Sequence, residues 1–244
     1  MATEEELAQA HIEAERRLRI IAATAAVNAW LALPSYDRED IPNFLSVVLP
    51  ILEAAKRQSV ALTRAYLARA VERPVAPVDV NAVLAGIRNG ATPEEVYSRP
   101  FVDVWSGLKQ RKPFEEAVRG AAARVEASAA MDVQLAMTHT LRAVGQADDT
   151  ILGYRRVPDP GACGFCVLIA GRRYLVEDLQ PAHPRCGCSC APITAENRGD
   201  FTGKRENDLS LPPGVAIHEH GEYGPVVGDP NHDFLSEAEA LARS

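Results

Sequence analysis

Apolar residues recur every three or four positions through most of the first 150 residues, and this spacing predicts a succession of helices. The first helix is expected to begin at Thr3, because Thr3 and Glu6 have the spacing of a capping box. Its apolar positions continue to a stop at Pro34.

A second helix is expected to start at Asp40, as its N-cap, with an apolar stripe that extends to Leu67. Pro50 should kink or split this helix, because proline lacks an amide donor and clashes with the preceding turn. Two prolines in residues 73–79 then predict an extended linker.

Three further helices are predicted before residue 150. A short one covers Val80 to Arg88, and another starts at Thr92-Pro93-Glu94-Glu95, with Pro100 limiting its length unless a kink is tolerated. The longest uninterrupted segment covers residues 113–147 and would be roughly 50 Å long, which suggests a spine or an assembly contact.

The character of the sequence changes near Asp148. Residues 151–157 have the β-branched and aromatic content of a strand, and the cysteines follow. Residues 196–244 are polar and irregular, with a short final helix predicted from Leu235 to Arg243. The expected fold is therefore mainly α: a helical region over residues 1–150, a small α+β module over 151–195 and an extended polar tail over 196–244.

Composition supports this class and narrows the function. Aromatic residues make up only 6% of the chain and alanine is abundant, which favours helices over sheets. A net charge of −7 does not suit a general binder of nucleic acid or of an anionic membrane, and we expect neither partner. No apolar run approaches the roughly 20 residues of a membrane span. The acidic N-terminus is unlike a secretory signal, so a reducing cytosol is expected at synthesis.

All five cysteines lie between Cys163 and Cys190. In a reducing compartment such clusters are more often metal ligands than disulfides. Cys163-x-x-Cys166 is the usual half-site for tetrahedral zinc, and either His183-x-x-Cys186 or Cys186-x-Cys188 has the spacing of a second half. Four ligands chosen from these five residues would close a structural zinc site, and the spacing alone does not decide which four they are. Cys190 is the expected spare, a small buried apolar residue.

Other chemistry fits the cysteines less well. A redox dithiol would need the βαβ context of a thioredoxin-like fold, and disulfides would leave one cysteine unpaired. A catalytic zinc would need an open coordination position and a general base. The zinc deaminase pattern fails here on order and context.

The remaining polar and aromatic residues have ordinary structural interpretations. His11 and His139 lie on predicted helices, at the surface or as satisfied core residues. Trp30 and Trp105 are expected to be packing anchors between helices. The pairs Arg155-Arg156 and Arg172-Arg173 are expected to form a solvated face.

The cysteine region also resembles a known family. The resemblance is carried by Gly153 to Pro158, Gly161 to Ala170 with Cys163 and Cys166, Tyr174, and His183-Pro-Arg-Cys186-Gly-Cys188, with weaker similarity over Glu219 to Pro225. Together these segments resemble the module of the phage Mu F-like minor head proteins, most closely those of tailed phages of actinobacteria. Two departures are Gly187, where the family often has arginine, and the additional Cys190.

The resemblance implies a virion protein that is added in the host cytoplasm during head assembly. It would lie near the portal or inside the capsid, and delivery with the genome is a further role that the resemblance implies. The implied partners are portal, major capsid or scaffolding proteins, with self-association possible and no role in catalysis. The alternatives are a thiol–disulfide or zinc-dependent enzyme acting during host entry, and a zinc-bearing adaptor unrelated to phage.

Overall fold

The computed structural model describes residues 2–162, 166–167, 169–182, 186–201, 216–221 and 223–228. Its helices are α1 (Glu4–Leu31), α2 (Asp40–Ala70), α3 (Val80–Ala85), α4 (Pro93–Lys109) and α5 (Phe114–Ala147). Its strands are β1 (Gly153–Val157), β2 (Arg173–Tyr174), β3 (Ser189–Ile193), β4 (Ala216–His220) and β5 (Gly224–Gly228). The predicted mainly α class is confirmed. None of the helices in these ranges is long and apolar enough to cross a membrane.

The N-cap residues predicted from the sequence are confirmed for two helices and wrong for a third. Complete capping boxes close α1 at Thr3 and α4 at Thr92, as predicted. The prediction that Asp40 caps α2 is wrong. The N-cap is Glu39, which makes no side-chain cap, and the Asp40 carboxylate instead accepts hydrogen bonds from Ser35 and from the amide of Asp37. The Asp40 carboxylate therefore stabilises the turn that precedes α2.

Two prolines lie inside continuous helices. Pro50 does not split α2, and α4 continues past Pro100 to Lys109. Around Pro50, Phe44 and Val48 are buried on the core side of α2, and this packing offsets the one backbone hydrogen bond that proline removes.

Helix α5 is the spine of the helical body. It packs against α1, α2, α3 and α4, and twenty of its 34 residues are buried. Between Met131 and Thr138 every residue is buried, so this stretch of α5 is covered on all sides. The length of this segment suggested either a spine or an assembly contact. The described contacts show that it is a spine.

Aromatic rings build the core at one end of α5. Trp30 is fully buried, packs edge-on against Phe44 and Phe101 at ring distances of 5.4 and 4.8 Å, and donates its indole N–H to the carbonyl of Val118. Trp105 donates to the carbonyl of Tyr36 at 3.0 Å. Trp30 therefore joins helices, as predicted, and Trp105 joins α4 to the loop between α1 and α2.

The strands of the cysteine region form an antiparallel sheet in the order β2-β1-β3. Tyr154 pairs with Tyr174 on one side and Pro192 on the other, and all five residues of β3 are buried. Tyr154 shares a core cluster with Ile12 of α1 and Leu141 of α5. The sheet therefore completes the core of the helical body, and the cysteine region is attached to it through shared packing.

The region after residue 195 contains more structure than its polar composition predicts. β4 and β5 form an antiparallel hairpin in which Ile217 pairs with Val227. Tyr223 and Val226 are buried in a cluster with residues of α2, α3 and α5, which explains why the hairpin forms. The predicted helix from Leu235 to Arg243 lies outside the described residues.

Candidate metal centre

Three cysteine thiols meet in the interior of the cysteine region. The sulfur atoms of Cys166, Cys186 and Cys188 all lie within 4.8 Å of one another, and all three residues are buried. The Cys166 and Cys186 sulfurs are 3.4 Å apart. The other two predicted ligands, Cys163 and His183, lie outside the described residues. The structure thus brings together the three predicted ligands that it describes.

Local backbone geometry explains two of these positions. Cys186 and Cys188 lie on the extended segment that leads into β3, where alternate side chains point to the same side. Cys166 lies on the segment that follows β1 and the turn from Asp159 to Ala162. The predicted alternation of the Cys-Gly-Cys run therefore places two sulfurs on one side, facing the third.

Cys190 does not join the cluster. It lies in β3, buried among residues of the sheet and helical core that include Leu67 and Tyr154. Its carbonyl accepts a hydrogen bond from the hydroxyl of Tyr66 at 3.1 Å. The prediction that Cys190 is a buried apolar residue outside the site agrees with this position.

The three thiols disfavour negative charge on one another. Hydrogen bonds with Cys186 and Cys188, together with burial, raise the pKa of Cys166. For Cys188 the hydrogen bond with Cys166 lowers the pKa, but the hydrogen bond with Cys186 and burial outweigh it and raise the value to about 12. Cys166 and Cys188 therefore hold their protons near neutral pH, and a bound metal ion would replace those protons.

The cluster has the dimensions of a metal–thiolate site. Tetrahedral zinc with Zn–S bonds of about 2.3 Å holds its sulfurs about 3.8 Å apart, between the 3.4 Å contact and the 4.8 Å limit observed. Thiolate-rich sites select zinc and other soft ions over magnesium or calcium. Cys166, Cys186 and Cys188 can therefore hold three corners of a tetrahedral metal site.

A backbone amide contacts one of the sulfurs, and an arginine binds the backbone beside it. The amide of Cys188 donates to the Cys186 sulfur at 3.4 Å, an outer contact of the kind that stabilises a thiolate ligand. The guanidinium of Arg19, on α1, donates to the carbonyl of Cys186. Helix α1 thereby fixes the backbone that carries two of the three thiols.

Arg156 corrects the prediction of a solvated arginine face. It is only 3% exposed, its guanidinium lies 5.2 Å from the Tyr174 ring centre, and it donates to the carbonyl of Gln180 at 2.9 Å. Its strand position pairs with Cys190. Arg155 does face outward, where it forms an ion pair with Glu4. Strand alternation places the two neighbouring arginines on opposite faces of the sheet.

A buried polar network connects the helices to the cysteine strand. His11 of α1 is hydrogen-bonded to Ser189 of β3 at 2.8 Å and to Thr63 of α2 at 3.3 Å, and its ring stacks on Tyr66 at 4.4 Å. The expectation of a satisfied core histidine is met. His139 is half-buried, and burial lowers its pKa to about 4.

Gly187 is explained by a residue that the sequence pattern did not single out. A β-carbon at position 187 would overlap the carboxylate of Asp159, which also accepts the amide of Gly161 at 2.5 Å. The Asp159 carboxylate thus occupies the space that a side chain at position 187, between Cys186 and Cys188, would fill. Nothing in the spacing of the cysteines indicates this contact, because the two residues are 28 positions apart.

Replacing Gly187 with alanine should displace the backbone segment between Cys186 and Cys188. We expect a loss of about 1–3 kcal/mol in unfolding free energy, the usual cost of overpacking, with weaker metal retention. The variant that combines G187A with D159A should recover most of this loss, because the overlapping carboxylate is gone. Urea unfolding and metal content measure both effects. Gly120→Ala, at an open helical position, is the control and should be neutral or stabilising. A double variant as unstable as the sum of the single variants would contradict the explanation.

Comparison with known proteins identifies one relationship. The sequence model of the family described as VG15 protein matches residues 1–207. That span contains the five helices, the three-stranded sheet and all five cysteines. No curated protein and no solved structure gives a significant match.

Proposed function

The chain belongs to the VG15 protein family, a family of viral proteins, and from this premise we propose that it is a structural minor head protein of a tailed phage. It would be added near the portal or inside the capsid during head assembly, as in the Mu F-like proteins that its cysteine motif resembles. The observation that carries the proposal is the buried thiol cluster, because it gives that motif the geometry of a structural clip.

The proposed metal is zinc, in a structural role. Three thiol donors within 4.8 Å suit a soft ion with tetrahedral preference. We propose that Cys163 or His183 supplies the fourth ligand. A sphere of four protein ligands leaves no open position for a substrate or water, which supports a structural site over a zinc enzyme.

The metal would stabilise a segment that has little core of its own. Among the residues that the structure describes, the buried apolar residues around the thiols are few, and they include Ile169 and Ala182. Apolar burial on that scale does not offset the conformational entropy of ordering the loop. Metal binding supplies the missing free energy, while β1 and β3 attach the loop to the helical body.

The proposed partners are the portal protein and the major capsid or scaffolding protein, with self-association also proposed. The helical body would make these contacts, since four helices packed around the α5 spine form a rigid surface. The net charge of −7 supports protein partners over packaged DNA.

Composition of purified particles tests this function. Mass spectrometry of phage particles, and of heads separated from tails, should detect the chain in heads. An amber mutant of its gene should yield heads that lack it and infect poorly. Presence of the chain in infected cells but not in particles would contradict the proposal. If the purified protein binds metal with a water ligand beside a carboxylate, the enzyme alternative is favoured instead.

A further inference from the structure

A groove that shares no lining residue with the thiol cluster has an uncompensated cation. It lies between α3, with the linker before it, and the C-terminal half of α5, and its volume is about 620 Å³. Apolar walls come from Val78, Val83 and Ala143, and His139 and Arg142 line it from α5. A groove of this size accommodates side chains of a docked segment.

Arg142 has no partner among the described residues. Its Nε atom is buried and makes no hydrogen bond, and no carboxylate in those ranges forms an ion pair with it. Asp79 is the acid that lines the groove, and its carboxylate already accepts the amides of Asn81 and Ala82 at the start of α3. A partly buried guanidinium without an acceptor favours a carboxylate ligand.

His139 adds a neutral donor to the same wall. Burial, and secondarily the charge of Arg142, lower its pKa to about 4, so near neutral pH the ring is uncharged. The groove therefore presents one positive charge, one ring N–H group and apolar walls. This combination suits an acidic segment that also carries apolar side chains.

We propose that residues 229–244 of the same chain dock in this groove, with a carboxylate bound to Arg142. The segment contains four acidic residues and one arginine, which gives it a net charge of −3 with histidine neutral: Asp229, Asp233, Glu237, Glu239 and Arg243. Phe234, Ala238 and Leu241 follow the spacing of one helix face. A helix with this spacing would present an apolar stripe to the groove walls and flanking carboxylates to Arg142.

The hairpin that precedes this segment shares packing with the groove walls. Val226 of β5 is buried in the same cluster as Val83 of α3, and Ala143 packs against that cluster. Gly228, two residues later, ends β5, so the segment follows directly on a hairpin that belongs to this cluster. An extended chain advances about 3.3 Å per residue, and a short tether gives an effective concentration on the order of millimolar. The chain's own segment is therefore favoured over an acidic segment from another protein.

Hydrogen exchange of the full-length protein tests the docking. Amides in residues 229–244 should be protected in the wild type, and Arg142→Glu should accelerate their exchange about tenfold or more, because the ion pair becomes a repulsion. Arg119→Glu is the matched control: Arg119 is an exposed arginine on the same helix, outside this groove, and it should leave the exchange unchanged. Unprotected amides in the wild type, or equal effects of the two variants, would overturn the proposal.

Cross-linking identifies the occupant without disturbing Arg142. Benzoylphenylalanine replaces Gln146, an exposed residue of the groove wall, in the full chain. Irradiation should give cross-links to residues 229–244 within one molecule, at a yield independent of protein concentration. Cross-links between isotopically distinct copies would assign the groove to a second copy, and cross-links elsewhere in the chain would assign it to neither. Both results would overturn the proposal, and neither readout depends on the metal or on the virion role.

Discussion

Replacing Cys186 with serine will abolish tight metal binding and strongly destabilise the cysteine region. Cys186 contributes one of three clustered sulfurs, and its backbone carbonyl accepts the Arg19 guanidinium. Structural zinc contributes on the order of 10 kcal/mol of apparent binding free energy in small zinc domains, so loss of one thiolate should release most of the metal. Metal analysis should fall from about one ion per chain to near none.

The matched control is Cys190→Ser, a buried cysteine four positions away that lies outside the cluster. This variant should keep its metal while losing about 1–3 kcal/mol, because an unpaired hydroxyl replaces an apolar thiol. Chelation of the wild type should reproduce the Cys186→Ser behaviour, with exchange protection lost around the thiols and helical circular dichroism retained. If both cysteine variants retain metal equally, Cys186 is not a ligand.

Replacing Asp132 with alanine should destabilise the helical body by about 3–5 kcal/mol, the cost of leaving a buried charge unpaired. Its two carboxylate oxygens accept Arg88 Nε at 2.7 Å and the Tyr97 hydroxyl at 2.8 Å. All three side chains are buried. Burial lowers the pKa of Arg88, but the Asp132 charge more than offsets this effect, so the guanidinium stays charged.

The Arg88 guanidinium also lies 5.0 Å from the ring centre of Tyr223, which anchors the β4–β5 hairpin. Loss of Asp132 should therefore loosen the hairpin as well, with faster hydrogen exchange over residues 223–228. Asp103→Ala removes one exposed ion pair, that of Asp103 with Arg124, and should cost at most about 1 kcal/mol. Urea unfolding compares the two variants, and equal losses would show that the buried network contributes no more than a surface pair.

A prediction from sequence was correct where the interacting residues lie close together along the chain, and it was wrong where a contact outside the helix decided the structure. Capping boxes at Thr3 and Thr92 were predictable because both partners lie within one turn. The shared direction of Cys186 and Cys188 was predictable because extended backbone alternates. Asp40 behaved differently from expectation, since a loop contact outweighed the local preference for an N-cap. Of the two outcomes predicted for Pro50, a split of α2 does not occur.

Sequence alone determined the helical class, the two capped helix starts and the region in which three cysteines gather. The first two depend on residues a few positions apart, where chain geometry leaves few alternatives, and the third depends on two short cysteine motifs within 28 residues. Tertiary structure decided that Arg156 is buried, that Asp159 excludes a side chain at Gly187, and that α1 reaches the cysteine loop through Arg19. The contact of Asp159 with Gly187 joins residues 28 positions apart, and that of Arg19 with Cys186 joins residues 167 positions apart. Only the packing of α1, the sheet and the loop brings these residues within hydrogen-bonding or van der Waals distance.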